Sequence, residues 1–299
     1  MQVPRFPLPG ETVGDGVLTS GHGGKGSNQA VGAARLGADV ALLTAIGSDA
    51  AGADAVAMWA DEGIDAGSVV RAPGSTMIGF ILLNDVGENS IAIAAGALDA
   101  LRPEHADDFR PQIARADVVL VSLEIPLPVA LRVLQIATDE GVPTILNPAP
   151  APRPLSAAEW RTVTYLTPNR SEAQALLGGA DLPPRELASE LARLAGCTVI
   201  MTVGHEGAIV ASTAGTEMVE PVPAAAVVDT TGAGDAFNAA LAVALAGGCA
   251  PAHAAAWAAR AGSYAVGFAG VLPGLATRAE IGEPPCLAGV QSDENRKRS

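Results

Sequence analysis

The chain has 299 residues, 49% hydrophobic and 17% charged, enough to bury one large core with or without a small appendage. It carries 18 Lys plus Arg against 32 Asp plus Glu, a net charge of −14. That balance argues against nucleic-acid and anionic-membrane binding, and it requires any anionic substrate to meet a local positive site or a metal.

Aromatic residues make up only 3%, so the core must be built from Ala, Val, Leu and Ile. The proline-rich residues 1–10 read as coil or an edge segment and have no apolar region of a secretory signal. No apolar run approaches the ~20 residues of a membrane span. Cys197, Cys249 and Cys286 have no metal-ligand spacing and read as free thiols of a reducing compartment. A soluble, cytoplasmic protein is expected.

In chain order, Glu11–Thr19 reads as a short strand and Gly21–Asn28 as a glycine-rich turn. A helix follows from Asn28 to Leu36, stopped by Gly37. Val40–Ile46 reads as a buried strand and Ala53–Glu62 as a helix. Ser75–Asn84 and Ser90–Ala95 are apolar runs joined by Asp85–Asn89, a hairpin signal. From about residue 110, strands alternate with helices. The strands are Asp117–Ser122, Thr144–Asn147, Val163–Thr167, Val199–Val203 and Ala208–Ala211. The helices are Leu127–Glu140, Ser171–Leu177, Arg185–Leu194, Asp235–Ala246 and Ala252–Val266. The expected fold is α/β, a doubly wound, mainly parallel sheet with helices on both faces, plus a small β lid. Residues 20–74 and 97–281 form the α/β domain, 8–19 and 75–96 the lid, and 282–299 a flexible tail. Ligands then belong at the carboxyl ends of the strands.

The chemistry centres on Asp229-Thr230-Thr231-Gly232-Ala233-Gly234-Asp235. An apolar run ends there, glycines follow, and a helix begins. Unpaired N–H groups at a helix start attract an anion, and glycines let it approach the backbone. A carboxylate in that place can take a proton from a hydroxyl while charge develops on a phosphoryl group. The alternative at this stage is that Asp235 simply caps the helix. The Gly23-Gly24-Lys25-Gly26-Ser27-Asn28 turn is not a Walker A loop or a dinucleotide fingerprint. It is either a flexible loop or a grip for a polyhydroxylated ligand. Asn169 and Glu172 have capping-box spacing. His205 reads as a solvated loop residue, and Trp59, Trp160 and Trp257 as packing residues.

Together, Gly24-Lys25-Gly26-Ser27-Asn28 and Asp229–Asp235 resemble the two signatures of the ribokinase-like (PfkB) carbohydrate kinases. Pro9-Gly10-Glu11-Thr12, Ser122-Leu123-Glu124-Ile125-Pro126, Asn147-Pro148-Ala149-Pro150-Ala151, Asn169–Glu172 and Thr202-Val203-Gly204-His205-Glu206-Gly207 agree with the resemblance, which spans about residues 7 to 281. It implies an ATP-dependent kinase that transfers the γ-phosphoryl group to a primary hydroxyl of a pentose, D-ribose first. Asp235 would be the base, and the N–H groups around Gly232, Ala233 and Gly234 the anion hole. Gly24, Lys25, Asn28, Glu124 and Asp235 would hold the sugar. Asn169, Glu172, Thr202, Gly204, Gly207 and Gly234 would serve ATP and its Mg2+. A potassium ion (K+) would be held by Asp229, Thr231 and the carbonyls of Ala265, Phe268 and Gly270. Gly274 stands where a serine is common in the family, so a side-chain oxygen is lost there. A homodimer through the lid is implied. Other sugars, nucleosides, or a non-catalytic binding role are the rival readings.

One departure stands out. The family begins with a strand carrying Gly-x-x-Asn-x-Asp ahead of the Pro-Gly-Glu-Thr stretch, and this sequence lacks it. A start placed too far downstream is the favoured account, ahead of truncation or a variant with altered sugar binding. Such a gap should leave backbone groups unpaired and a groove in the core.

Overall fold

The computed structural model describes residues 1–85 and 89–286, and helices alternate with strands through most of them. The first part contains α1 (Lys25–Arg35), β1 (Ala45–Ile46), α2 (Ala50–Asp61), β2 (Val70–Arg71) and the hairpin β3 (Ile78–Leu83) and β4 (Asn89–Ala94). Then come α3 (Pro103–Asp108), α4 (Arg110–Ile113), β5 (Val119–Ser122), α5 (Leu127–Asp139), β6 (Thr144–Asn147), α6 (Ala157–Trp160), β7 (Tyr165–Leu166), α7 (Arg170–Leu176) and α8 (Pro184–Ala195). The last part holds β8 (Thr198–Thr202), β9 (Ala208–Ser212), β10 (Gly215–Val219), α9 (Ala233–Ala246), α10 (Pro251–Ala265) and α11 (Arg278–Ile281).

A six-stranded sheet runs β10-β9-β8-β7-β6-β5, with β5 to β8 parallel and β9 and β10 antiparallel. Its strands are short apolar runs because both faces are covered; all four residues of β6 are buried. Alternate side chains enter opposite cores: Val199 and Met201 join α5, α7 and α8, whereas Ile200 joins α1, α9 and α10. Parallel pairing puts the ends of β5, β6, β7 and β8 on one edge of the molecule, and the candidate site forms there.

Helix α9 runs through the interior. Residues 235–244 are buried on every side, as expected for a helix apolar almost all round. Small residues allow close crossing: a Cβ on Gly32 of α1 would lie 2.7 Å from the Cβ of Ala239. Helix α1 thus turns one face to α9. Its other face, Gly26, Gln29, Ala30 and Ala33, lines a cavity of about 1000 Å³. The cavity separates the β5 edge from β1, which among the described residues pairs only with β2. Val119 and Leu123 donate toward β6, to the carbonyls of Pro143 and Ala149, so the intervening Leu120 directs its backbone groups into the slot. On the far wall, Leu42 pairs with Asp65, and Leu43 faces the slot. A groove lies here, between sheet edges that are unpaired among the described residues.

Several expectations need correction. Within Glu11–Thr19 only Val17 pairs, bridging Gln2; Gly14, Asp15 at φ 60 and Gly16 interrupt any strand. Of the two readings of the N-terminal segment, the edge one fits residues 1–3: Gln2 also bridges Leu83 of β3 and Val3 is buried. The strand over Val40–Ile46 contracts to β1 plus a bridge from Ala41 to Asp65, because one of its sides has no partner. The glycine turn ends sooner than expected, with Lys25 already in α1. Cys249 and Cys286 are joined by a disulfide, with Cα atoms 5.1 Å apart, so the free-thiol reading holds only for buried Cys197. The C-terminal segment folds back on the end of α9, a proximity that spacing could not reveal; Trp257 Nε1 donating to the Gly282 carbonyl helps hold it. Residues 86–88 of the hairpin connection and 287–299 of the expected tail lie outside the described residues. Among the described residues no helix is long and apolar enough to cross a membrane.

Candidate active site

Asp235 is the third residue of α9 and is 6% exposed. The helix N-cap is Gly232, in the left-handed region at φ 81. A Cβ there would approach Val271 Cγ1 to 2.6 Å, so both conformation and space demand glycine. No side chain caps α9, which leaves the positive end of the helix facing the site. The Ala233 N–H makes a 3.3 Å bond to the Thr230 carbonyl, so the expected anion hole rests mainly on its glycine neighbours.

The cap reading of Asp235 fails on geometry. Its carboxylate turns away from its own helix and accepts from Asn28 Nδ2 at 2.8 Å on Oδ2 and from Gln29 Nε2 at 3.0 Å on Oδ1. Burial pushes its carboxyl above the ordinary range, while the Lys25 charge and the two amide donors pull the other way. This is a desolvated carboxylate held on both oxygens beside a helix start, an arrangement suited to a general base.

The residues expected to hold a sugar gather around it. Gly24 caps α1 at φ 90, and a Cβ there would be 3.1 Å from Met77 Cε, just before β3. Glu124, just past β5, accepts the Lys25 backbone N–H at 2.6 Å. Burial raises the Glu124 carboxyl; the Lys25 N–H and charge lower it, and Asp235 adds to the rise. Lys25, Asn28, Glu124 and Asp235 therefore occupy one electrostatic neighbourhood.

Asn169 and Glu172 form a reciprocal capping box at the start of α7: Asn169 Oδ1 accepts the Glu172 N–H at 2.9 Å, and Glu172 Oε2 accepts the Asn169 N–H at 2.8 Å. Burial also raises the Glu172 carboxyl, and the group feels both Lys25 and Asp235, which places it within reach of the site. Asn169 bridges Thr202 at the end of β8. Gly204 (φ 61) and Gly207 (φ 95) shape the turn that follows; a Cβ on Gly207 would meet the Val219 carbonyl at 2.2 Å. His205 is exposed in that turn, and the three tryptophans are buried packing residues.

Of the residues expected to hold potassium, Asp229, Thr231 and Gly270 are brought together. Asp229 Oδ1 accepts the Thr231 N–H at 2.9 Å and Oδ2 the Gly270 N–H at 3.0 Å, tying the two loops together. Partial burial pushes the Asp229 carboxyl up, but the Thr231 and Gly270 donors outweigh it and leave it below the ordinary range. The set consists of oxygen donors with lone pairs to spare, the chemistry a hard monovalent cation takes. Gly274 is more than a lost oxygen: a Cβ there would sit 2.7 Å from the Ala265 carbonyl, so glycine lets that backbone close up.

Four buried polar residues had no expected role. Gln29 Nε2 also donates to Asn147 Oδ1 at 3.1 Å. Asn147 Nδ2 donates to the Thr167 carbonyl at 3.0 Å, Thr167 Oγ1 to Asn238 Oδ1 at 2.6 Å, and Asn238 Nδ2 to the Gly234 carbonyl at 2.8 Å. The available signal was an amide at the end of a buried strand and another on an apolar helix, where polar groups must find partners.

The chain is similar to known proteins over nearly its whole length. Residues 3–278 match the model of the pfkB family of carbohydrate kinases. The chain is 38% identical over 279 residues to a ribokinase of Bacillus subtilis, covering 93% of this chain and 92% of that protein. It is 36% identical over 253 residues to a bifunctional ribokinase/ribose-5-phosphate isomerase A of Fructilactobacillus sanfranciscensis, covering 81% of this chain but 45% of that longer protein. Its fold superposes on an Arabidopsis thaliana ribokinase solved with ribose and ATP at a TM-score of 0.86 and 29% identity, covering 94% and 92% of the two chains. The chain therefore belongs to the pfkB family of carbohydrate kinases and is an ATP-dependent enzyme of that class.

Proposed function

We propose that the protein phosphorylates a pentose at a primary hydroxyl, converting D-ribose and ATP to ribose 5-phosphate and ADP. The observation that carries this reading is Asp235, buried and gripped on both carboxylate oxygens at the uncapped start of α9. The sugar hydroxyl gives its proton to Asp235 as its oxygen attacks the γ-phosphorus, and the bond to the bridging oxygen breaks to release ADP. Free N–H groups at the Gly232–Gly234 turn meet the negative charge gathering on the transferring group. Gly24, Lys25, Asn28 and Glu124 hold the sugar. Asn169, Glu172, Thr202, Gly204 and Gly207 form the nucleotide side.

Mg2+ would come with the nucleotide and neutralise phosphate charge; the acidic chain makes that help necessary. Asp229, Thr231 and the carbonyls of Ala265, Phe268 and Gly270 would hold K+, fixing the glycine turn. In the same reading the β3–β4 unit, with residues 8–19, is a lid over Gly24 and a dimer surface, and the protein works in the cytoplasm.

The test is a coupled ADP assay on purified protein with ribose, with and without potassium. Ribose-dependent ADP release is expected, and Asp235→Asn should lower turnover by roughly 10²–10⁴-fold. Near wild-type turnover in that variant would remove Asp235 from the role. The open cavity beside Gly24 and Glu124 favours one second reading, a different acceptor sugar or nucleoside. A substrate panel in the same assay separates the two.

A further inference from the structure

Gln29 is 3% exposed on α1 and touches the carboxylate on which the proposed reaction depends. Its amide could in principle be turned either way, with oxygen or nitrogen toward Asp235. The neighbours settle its sense. The carbonyls of Thr167 and Gly234 can only accept. The Thr167 carbonyl takes Asn147 Nδ2, so Asn147 must present Oδ1 to Gln29. Gln29 must then present its NH2, and the second proton of that group reaches Asp235 Oδ1. The chain continues through the Thr167 hydroxyl to Asn238 and returns to the Gly234 carbonyl, one residue before Asp235. The ring thus starts and ends on the same turn of α9. It joins α1, β6, the end of β7 and α9, so the aim of the amide is set by the fold rather than by one contact.

We propose that Gln29 is a positioning residue for Asp235, its amide aimed by the Asn147–Thr167–Asn238 ring so that the carboxylate is held in one plane with Oδ1 occupied. A donor on Oδ1 also favours the ionised carboxylate against burial. The charged groups around Asp235 are Lys25 at the start of α1, Glu124 after β5 and Glu172 on α7. Only Lys25 helps the charge, so the neutral amide donors matter. This inference rests on the reading of Asp235 as the base.

The test uses the full chain and two variants, Gln29→Ala and the near-isosteric Gln29→Glu, with kinetics across pH and isotope-edited NMR titration of the Asp235 carboxyl. Gln29→Ala should lower kcat by about 10–100-fold near neutral pH with the KM for ATP unchanged. The acid limb of its kcat profile should move up by about one pH unit, so that activity is regained as pH rises. Gln29→Glu should move the limb further, because two carboxyls then compete for one charge. A loss of the same factor at every pH, with the limb unmoved, would reduce Gln29 to a packing residue and overturn the proposal. If the wild-type chain phosphorylates no sugar, the kinase reading fails separately. The Asp235 titration then decides: an upward shift in Gln29→Ala supports the positioning role, and an unchanged titration refutes it.

Discussion

Two regions meet along helix α1, and they differ in how their polar groups are arranged. One is a buried hydrogen-bonded circuit, although Gln29 Oε1 and Asn28 Oδ1 have no partner among the described residues; the other is a cavity between strand edges. On the α9 side, Asp235, Gln29, Asn147, Thr167 and Asn238 exchange hydrogen bonds in a closed circuit of buried groups. On the β5 side lies a cavity of about 1000 Å³ between two strand edges. On the proposed reading the contrast separates two duties of a kinase: the corner around Asp235, held by several hydrogen bonds at once, would serve proton transfer, as a preorganised site must. The slot, lined by Gly24 and Glu124 among others, is bounded by the backbone of β5 and β1, whose outer edges have no strand partner among the described residues. Chemistry and acceptor grip can therefore fail independently, and each side can be tested alone.

The largest expected effect is on the closed side. Gly232→Val would force a β-branched residue into φ 81 and drive its Cβ onto Val271. Losing that turn should cost roughly 10²–10³-fold in kcat through the anion hole. Steady-state kinetics checks this, with circular dichroism confirming the fold. Turnover within a few-fold of wild type would mean that the turn contributes no donors.

Next comes a contrast within single strands. Hydrogen exchange should find the amides of Val119 and Leu42, which donate to Pro143 and Asp65, protected by about 100-fold or more over those of Leu120 and Leu43, which face the slot. Equal protection along β5 would mean that the slot is closed in solution and that the comparison fails.

How much of this was legible beforehand follows the same divide. The β5–β9 strands and their helices stood out because short apolar runs alternating with amphipathic segments have few alternative readings. β6 was placed at Thr144–Asn147, its observed bounds. Asp235 was readable because its glycines and helix start are contiguous in sequence. Gln29, Asn147 and Asn238 were not, since a buried amide is identified only by partners about 70 to 200 residues away. The Cys249–Cys286 link and the pairing of Gln2 with Leu83 are long-range in the same way. Helix α3, Pro103–Asp108, and strand β10, Gly215–Val219, are too short or too polar for a periodic signal.

The finest test sets two adjacent residues of α1 against each other. Gly32 faces α9, where a Cβ would come within 2.7 Å of the Ala239 Cβ; Ala33 lines the slot. Gly32→Ala must push the helices apart, at a cost of about 1–3 kcal/mol in denaturant unfolding. Because Gln29 and Asp235 sit on the two displaced helices, kcat should fall with stability. Ala33→Leu adds apolar volume where space exists, so it should change stability by no more than about 1 kcal/mol, in the stabilising direction, and leave kcat nearly unaltered. The intrinsic helix propensities of the replacements cannot account for opposite signs, since Ala and Leu are both good helix formers and Gly→Ala should help a helix. Packing against α9 must therefore overcome a propensity gain of about 1 kcal/mol before Gly32→Ala shows any loss. If both variants were stabilised, the α1–α9 contact would have room to yield, and the closed side would be softer than its hydrogen bonds suggest.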